Sequence, residues 1–249
     1  MSLFSFQGKF FAGNRLPNGK LEKPVWAGNV PSMTLQLATD STNKTESFSG
    51  NRLQYGRLQR GKTATLNVTF DEFLPQNIAL AVWASVLDVA GGSVTGEVFP
   101  SGLVAGDRVK LDHPFVSALT ITDSAGTPAT LPPANYELES ANAGLIELLN
   151  PGALVQPFKA AYTYASRQSF TMFTAAPPER YILLDGINTE NNEPVIVTLY
   201  RCKFDPVSEL AFINDEYGNF ALTGSVLYDV VNAANANLGG FGRIDQKAV

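Results

Sequence analysis

The run Thr63-Ala-Thr-Leu-Asn-Val-Thr-Phe70 alternates without a break. Ala64, Leu66, Val68 and Phe70 take every second position, and Thr63, Thr65, Asn67 and Thr69 fill the others. A period of two is the pattern of a strand with one face in a core and the other outside it. A helix cannot hold it, because 3.6 residues per turn would scatter the apolar set around the axis. The stretch therefore requires a sheet. Its outer face is a band of uncharged polar groups that is hard to explain as ordinary surface.

Other segments agree with a sheet. Met33-Thr-Leu-Gln-Leu37 alternates in the same way, and Tyr181–Asp229 reads as a double hairpin. In it, Tyr181–Asn188 and Pro194–Phe204 are β-branched and aromatic runs separated by the polar turn Thr189–Glu193. Asp205-Pro206 breaks the second run, Leu210-Ala-Phe-Ile213 follows, and Asn214–Asn219 supplies another turn before Phe220–Asp229. Such runs joined by Asn/Asp/Gly-rich turns are antiparallel β-structure in sequence form. After Phe70 the period changes. Pro75 suits a first helical turn, and Ile78, Val82 and Val86, with Trp83 and Leu87, form one helical stripe ended by Gly91-Gly92. Leu74 stands where a Ser, Thr or Asp cap is expected.

Between 93 and 175 the texture becomes that of a small all-β unit. Its strand candidates are Ser93–Val98, Arg108–Leu111, Ser117–Thr122, Tyr136–Glu139, Leu145–Leu149, Lys159–Ala165 and Ser169–Phe173. The chain thus reads as mainly β with one α-helix, an antiparallel β-sandwich or partial barrel. Residues 1–92 plus 176–249 form a split core domain, and 93–175 an inserted β-rich domain. Residues 1–31 look like an arm laid across a surface with one short strand, and the Gly-rich tail from Asn232 like a segment ordered only by a partner.

Asp40–Lys62 is a long polar stretch in which Lys44, Arg52, Arg57, Arg60 and Lys62 outweigh Asp40 and Glu46. A loop of this length usually has a task. Two readings are open, a solvated hairpin whose charges keep it soluble and a projecting arm that docks on an acidic neighbour; in a chain of net charge −5 the second is favoured.

Composition narrows the function classes. The acidic balance leaves no footprint for wrapping nucleic acid. Cys202 is the single cysteine, which excludes an internal disulfide or a thiolate metal cluster. No apolar stretch is long enough to span a bilayer, and the N-terminus is not a signal peptide, so a soluble cytosolic protein is expected. A serine triad would have to use His113, the only histidine, which precedes Pro114 in a turn-like segment without a nucleophile elbow. Cys202 lies within a strand pattern and reads as buried and inert. The adjacent acids Asp71-Glu72 and Asp215-Glu216 suit a helix start and a turn; paired acids for hydrolysis must converge across a cleft. Gly239-Gly240-Phe-Gly242 opens no helix and is no phosphate loop. No enzyme, metal or cofactor is expected.

Glu46-Ser-Phe-Ser-Gly50, Thr65-Leu-Asn-Val-Thr-Phe-Asp-Glu-Phe73 leading into Asn77-Ile-Ala-Leu80, Leu184-Asp-Gly-Ile-Asn188, Leu199-Tyr-Arg-Cys-Lys-Phe204 and Gly224-Ser-Val-Leu-Tyr-Asp229 occur in this order. In that arrangement the chain resembles the major tail tube proteins of long-tailed bacteriophages with non-contractile tails. The resemblance implies a tail-tube fold that closes into a hexameric ring on oligomerisation. Stacked rings form a tube that delivers genomic DNA, with no catalytic residues. It implies partners: further copies of the chain, a tape measure protein, tail terminator and distal tail proteins, and DNA that passes without specific binding. The location implied is the virion tail, with the host cytoplasm during assembly. Lys44, Arg52, Arg57, Arg60 and Lys62 would then serve ring-to-ring contact, and Thr63, Thr65, Asn67 and Thr69 would face the lumen. Two other readings are a tube subunit of a contractile injection apparatus and a carbohydrate- or receptor-binding β-sandwich. The last requires exposed Trp or Tyr on a flat face.

Overall fold

The computed structural model describes residues 3–247. In chain order the elements are β1 (Phe6–Arg15), β2 (Leu21–Trp26), β3 (Ser32–Thr45), β4 (Gln54–Phe70), α1 (Pro75–Ala81), β5 (Ser85–Val89), β6 (Gly92–Val98), β7 (Arg108–Lys110) and β8 (Val116–Thr122). A 3-10 turn at Pro133–Asn135 leads to β9 (Tyr136–Ser140), β10 (Leu145–Leu148), β11 (Lys159–Tyr164), β12 (Arg167–Thr171), β13 (Glu179–Asn188), β14 (Glu193–Phe204), β15 (Phe220–Val226), α2 (Val230–Ala233) and β16 (Gly242–Gln246). The protein is mainly β, its sheets are antiparallel, and among the described residues none of them closes into a barrel.

Two compact units divide the chain, one made of residues up to Val86 and from Phe170 onwards, the other Leu87–Ser169. Both boundaries fall earlier than 93 and 175. The chain leaves the first unit along β5 and returns along β12, and these two strands pair.

The first unit is built on an eight-stranded sheet in the order β2-β1-β13-β14-β15-β4-β3, with β16 also paired to β14. Leu66, Val68, Phe70, Leu222, Ile182, Cys202 and Phe204 bring the buried face of this sheet into one core with Ile78, Leu80 and Ala81 of α1. Phe70 stacks on its cross-strand partner Phe220 at 5.4 Å between centroids and meets Phe10 edge-on at 5.9 Å. Offset and edge-to-face contacts of this kind favour one packing over its alternatives.

The second unit holds two three-stranded sheets, β7-β10-β9 and β6-β11-β8. Val109, Ile146 and Leu148 of the first meet Val116, Ile121, Ala160 and Tyr162 of the second in a separate core. All seven expected strands between 93 and 175 are present, with bounds shifted by at most a few residues.

Six expectations are corrected. The helix ends at Ala81: Val82 caps it, and Trp83 adopts a left-handed φ of 48°. Val86 and Leu87 are exposed on β5, where the β-branched Val86 fits better than in a helix. A second short helix, α2, brings the helices to two among the described residues. Residues 40–62 are not a loop; β3 and β4 carry a ladder through them to Thr45↔Gln54. The tail from Asn232 to Gln246 is ordered within the chain, with β16 paired to β14 from Val195↔Gln246 to Leu199↔Gly242. The N-terminal arm holds two strands. Leu210–Ile213 forms none, because β14 and β4 already occupy both flanks of β15.

Candidate functional site

Ala64, Leu66, Val68 and Phe70 are buried, whereas Thr63 is exposed and Thr65, Asn67 and Thr69 are half-buried on the opposite face of β4. The neighbours widen this row into a field. Ser32, Thr34 and Gln36 of β3 lie opposite Thr69, Asn67 and Thr65. On the other flank Ala221, Thr223 and Ser225 of β15 oppose the same three residues. The Thr223 hydroxyl donates to Asn67 Oδ1 at 2.8 Å. Three adjacent strands thus present hydroxyls and amides with no ionic group among them. The alternation in β4 signals one row; the flanking rows escaped sequence reading because β3 and β15 become neighbours of β4 only through the topology.

Past Ala64 the ladder between β4 and β15 stops. The remainder of β4 pairs with β3 alone, so residues 39–62 form a two-stranded ribbon. Irregularities in the register at Asp40/Ser41 and Lys44/Thr45 add twist to it. Lys44 and Arg52, Arg57, Arg60 and Lys62 are all exposed along the ribbon or at its tip. Arg57 Nε donates to Ser41 Oγ at 3.0 Å, and none of the five cations is in an ion pair among the described residues. Leu37, Tyr55, Leu58, Leu53 and Phe48 are exposed beside them.

One carboxylate shapes the tip. Glu46 accepts from the amides of Phe48 (2.8 Å), Ser49 (2.9 Å) and Leu53 (3.3 Å) and from the Ser49 hydroxyl. Bonding from Ser49, side chain first and then amide, lowers its pKa to about 2. The carboxylate takes the place of backbone carbonyls as acceptor for the turn amides. Phe48, held in this turn, meets Tyr55 edge-on at 6.1 Å.

Where β15 diverges from β14, β16 takes over the edge of β14. A groove of about 540 Å³ opens between β16 and the base of the ribbon. Leu35, Leu37, Val197, Leu199, Phe241 and Ile244 line it, and its charged side chains are Lys62 and Arg243. This lining can bury an apolar segment; it offers no acid and base pair to move a proton.

The reactive residue types have structural surroundings. His113 stacks on Tyr164 with centroids 3.8 Å apart, and its Nδ1 lies 3.3 Å from Arg167 Nη1. Cys202 is fully buried, and burial pushes its thiol pKa up. Asp71 and Glu72 both bind Asn29, Glu72 through the Asn29 amide at 2.8 Å and Asp71 through its side-chain amide at 2.6 Å. Trp83 donates its indole N–H to the Phe204 carbonyl at 3.2 Å. Trp26 is half exposed on β2.

Residues 205–219, whose sequence suggests a strand and a turn, form a loop. Its root is anchored, with the Asp205 amide donating to Thr223 O and the Val207 amide to Ala81 O, both at 2.8 Å. From Ala211 to Asn219 every residue is exposed, including Phe212 at 70% and Ile213 at 96%, and Tyr217 is fully so. Asp205, Glu209, Asp215 and Glu216 lie on the same loop, which has no Lys or Arg.

A search of curated proteins returns no match. A family model described as "Protein of unknown function UCP028589" matches residues 3–245, a span that runs through both units. The chain belongs to this family of proteins of unknown function.

Proposed function

We propose that the protein is the self-assembling subunit of a tube, the major tail tube protein of a long, non-contractile phage tail. Copies of it form stacked hexameric rings, and genomic DNA passes through the channel. The observation that carries this reading is the uncharged polar field on β3, β4 and β15, set on a sheet whose outermost strands each keep a free edge. Free edges invite pairing, and a head-to-tail ring of identical copies removes them. A channel wall of hydroxyls and amides gives DNA phosphates no cations to hold, so the polymer slides. The tape measure, terminator and distal tail proteins are the further partners on this reading, and the virion tail is its location.

The second unit and the long ribbon favour a non-contractile tail over a contractile apparatus, whose sheath would leave little space for an inserted domain. A carbohydrate-binding reading would rest on Trp26 and on the exposed Tyr55, Tyr217 and Tyr228, since Trp83 is tied to the Phe204 carbonyl. Negative-stain electron microscopy of the concentrated protein separates these readings. Rings or hollow tubes are expected; a persistent monomer that binds glycans would overturn the assignment.

A further inference from the structure

The two most conspicuous unpartnered surfaces of the first unit have opposite charge. The ribbon 39–62 carries five cations against two acids, and the loop 205–219 carries four acids and no cation. None of these loop acids is in an ion pair among the described residues. Each surface also displays apolar side chains that monomers seldom leave in water: Phe48, Leu53, Tyr55 and Leu58 on the ribbon, Phe212, Ile213 and Tyr217 on the loop.

Their placement is the decisive point. β4 runs 17 residues from the ribbon tip at Gln54 to Phe70. Phe70 pairs with Phe220, the residue that follows the loop. At about 3.3 Å per residue the ribbon tip and the loop lie at opposite ends of a strand of roughly 55 Å. They cannot meet within one molecule. Complementary patches at opposite poles of one chain generate a heterologous, repeating contact.

We propose that the loop 205–219 of one copy is the docking site for the basic ribbon of a second copy. Asp215 and Glu216 face the ribbon's arginines, and Phe212, Ile213 and Tyr217 pack against its apolar residues. A two-stranded ribbon is marginal alone in water, and this contact supplies its third layer. The inference rests on the self-association proposed above and names the acceptor in it.

The test is a charge swap in the full-length protein, with association followed by analytical ultracentrifugation at low ionic strength and particles viewed by negative stain. Asp215→Lys with Glu216→Lys should weaken association at least tenfold, as should Arg57→Glu with Arg60→Glu. All four changes in one chain should restore most of it, because every contact again joins opposite charges. Phe212→Ser with Ile213→Ser should weaken association without altering any charge. Association of either loop variant at the wild-type level, or a fourfold variant weaker than both pairs, would overturn the proposal. Circular dichroism melting shows that each variant folds, and these sites are exposed enough to leave it unchanged. Head-to-tail chains without a hollow tube would uphold this contact and sink the tube reading. Hollow tubes from the loop-reversed variant would do the opposite, and a wild-type monomer at every concentration would end both.

Discussion

The Asp229 carboxylate is fully buried and receives Arg15 Nη2 at 2.7 Å, Arg15 Nε at 2.8 Å and Asn232 Nδ2 at 2.8 Å. The Val231 and Asn232 amides also donate to it, which makes Asp229 the cap of α2. Asn232 donates in addition to the Gly19 carbonyl at 3.1 Å, so one cluster ties the β1–β2 turn to the C-terminal segment. Bonding from Arg15 lowers the Asp229 pKa from 3.8 to about 2. A folded-state pKa below the unfolded one contributes stability that is complete above the unfolded value and is lost as pH falls through the folded one. Stability should therefore decline between about pH 4 and pH 2. Asp229→Asn keeps the shape but leaves the largely buried Arg15 without its counter-charge, a loss of about 2–3 kcal/mol. Urea titrations at pH 7 and pH 3 should show the variant's deficit shrinking at the lower pH. An undiminished deficit would assign Asp229 a packing role only.

At the scale of elements, β14 explains what the tail does. Its C-terminal residues Cys202–Phe204 pair with β15, but Val195–Leu199 have lost that neighbour. Buried backbone groups left without partners are costly, and Gly242–Gln246 supplies them. Gly242 is needed there, since a Cβ on it would come within 2.2 Å of the Thr198 carbonyl oxygen. Gly242→Val should detach β16, seen as protease cleavage after Arg243 or Lys247 and as faster exchange of the Val195–Leu199 amides. Protection equal to wild type would show that the sheet tolerates the shift. The same element marks where sequence reading stops. The short strands of the second unit are legible because turns and β-branched runs alternate locally. Gly-Arg-Ile-Asp-Gln carries no such pattern; it is a strand because a distant edge requires one. Trp83 is the converse case. The apolar stripe Ile78, Val82, Val86 fits a helix, yet pairing of β5 with β12 overrides it. The polar row of β4 was readable for the same reason as the second unit's strands, whereas the exposure of Ile213 depends on which flanks of β15 were already taken.

On the scale of the whole molecule, two separate cores imply two melting events. Leu66 is fully buried in the first and Phe158 in the second. Leu66→Ala and Phe158→Ala should each cost about 3–4 kcal/mol. Calorimetry should show each lowering a different transition, and a single transition moved equally by both would mean the units unfold as one. The pairing of β1 with β13 has another consequence, in time. The Ser5 amide donates to Asn188 Oδ1 across 183 residues of chain. At about 5–20 residues per second, the first strand leaves the ribosome some 10–40 s before its partner. The β3–β4 ribbon is synthesised early, whereas the loop at 205–219 comes late. On the docking proposed above, a nascent chain would carry its basic ribbon long before the acceptor loop has been made.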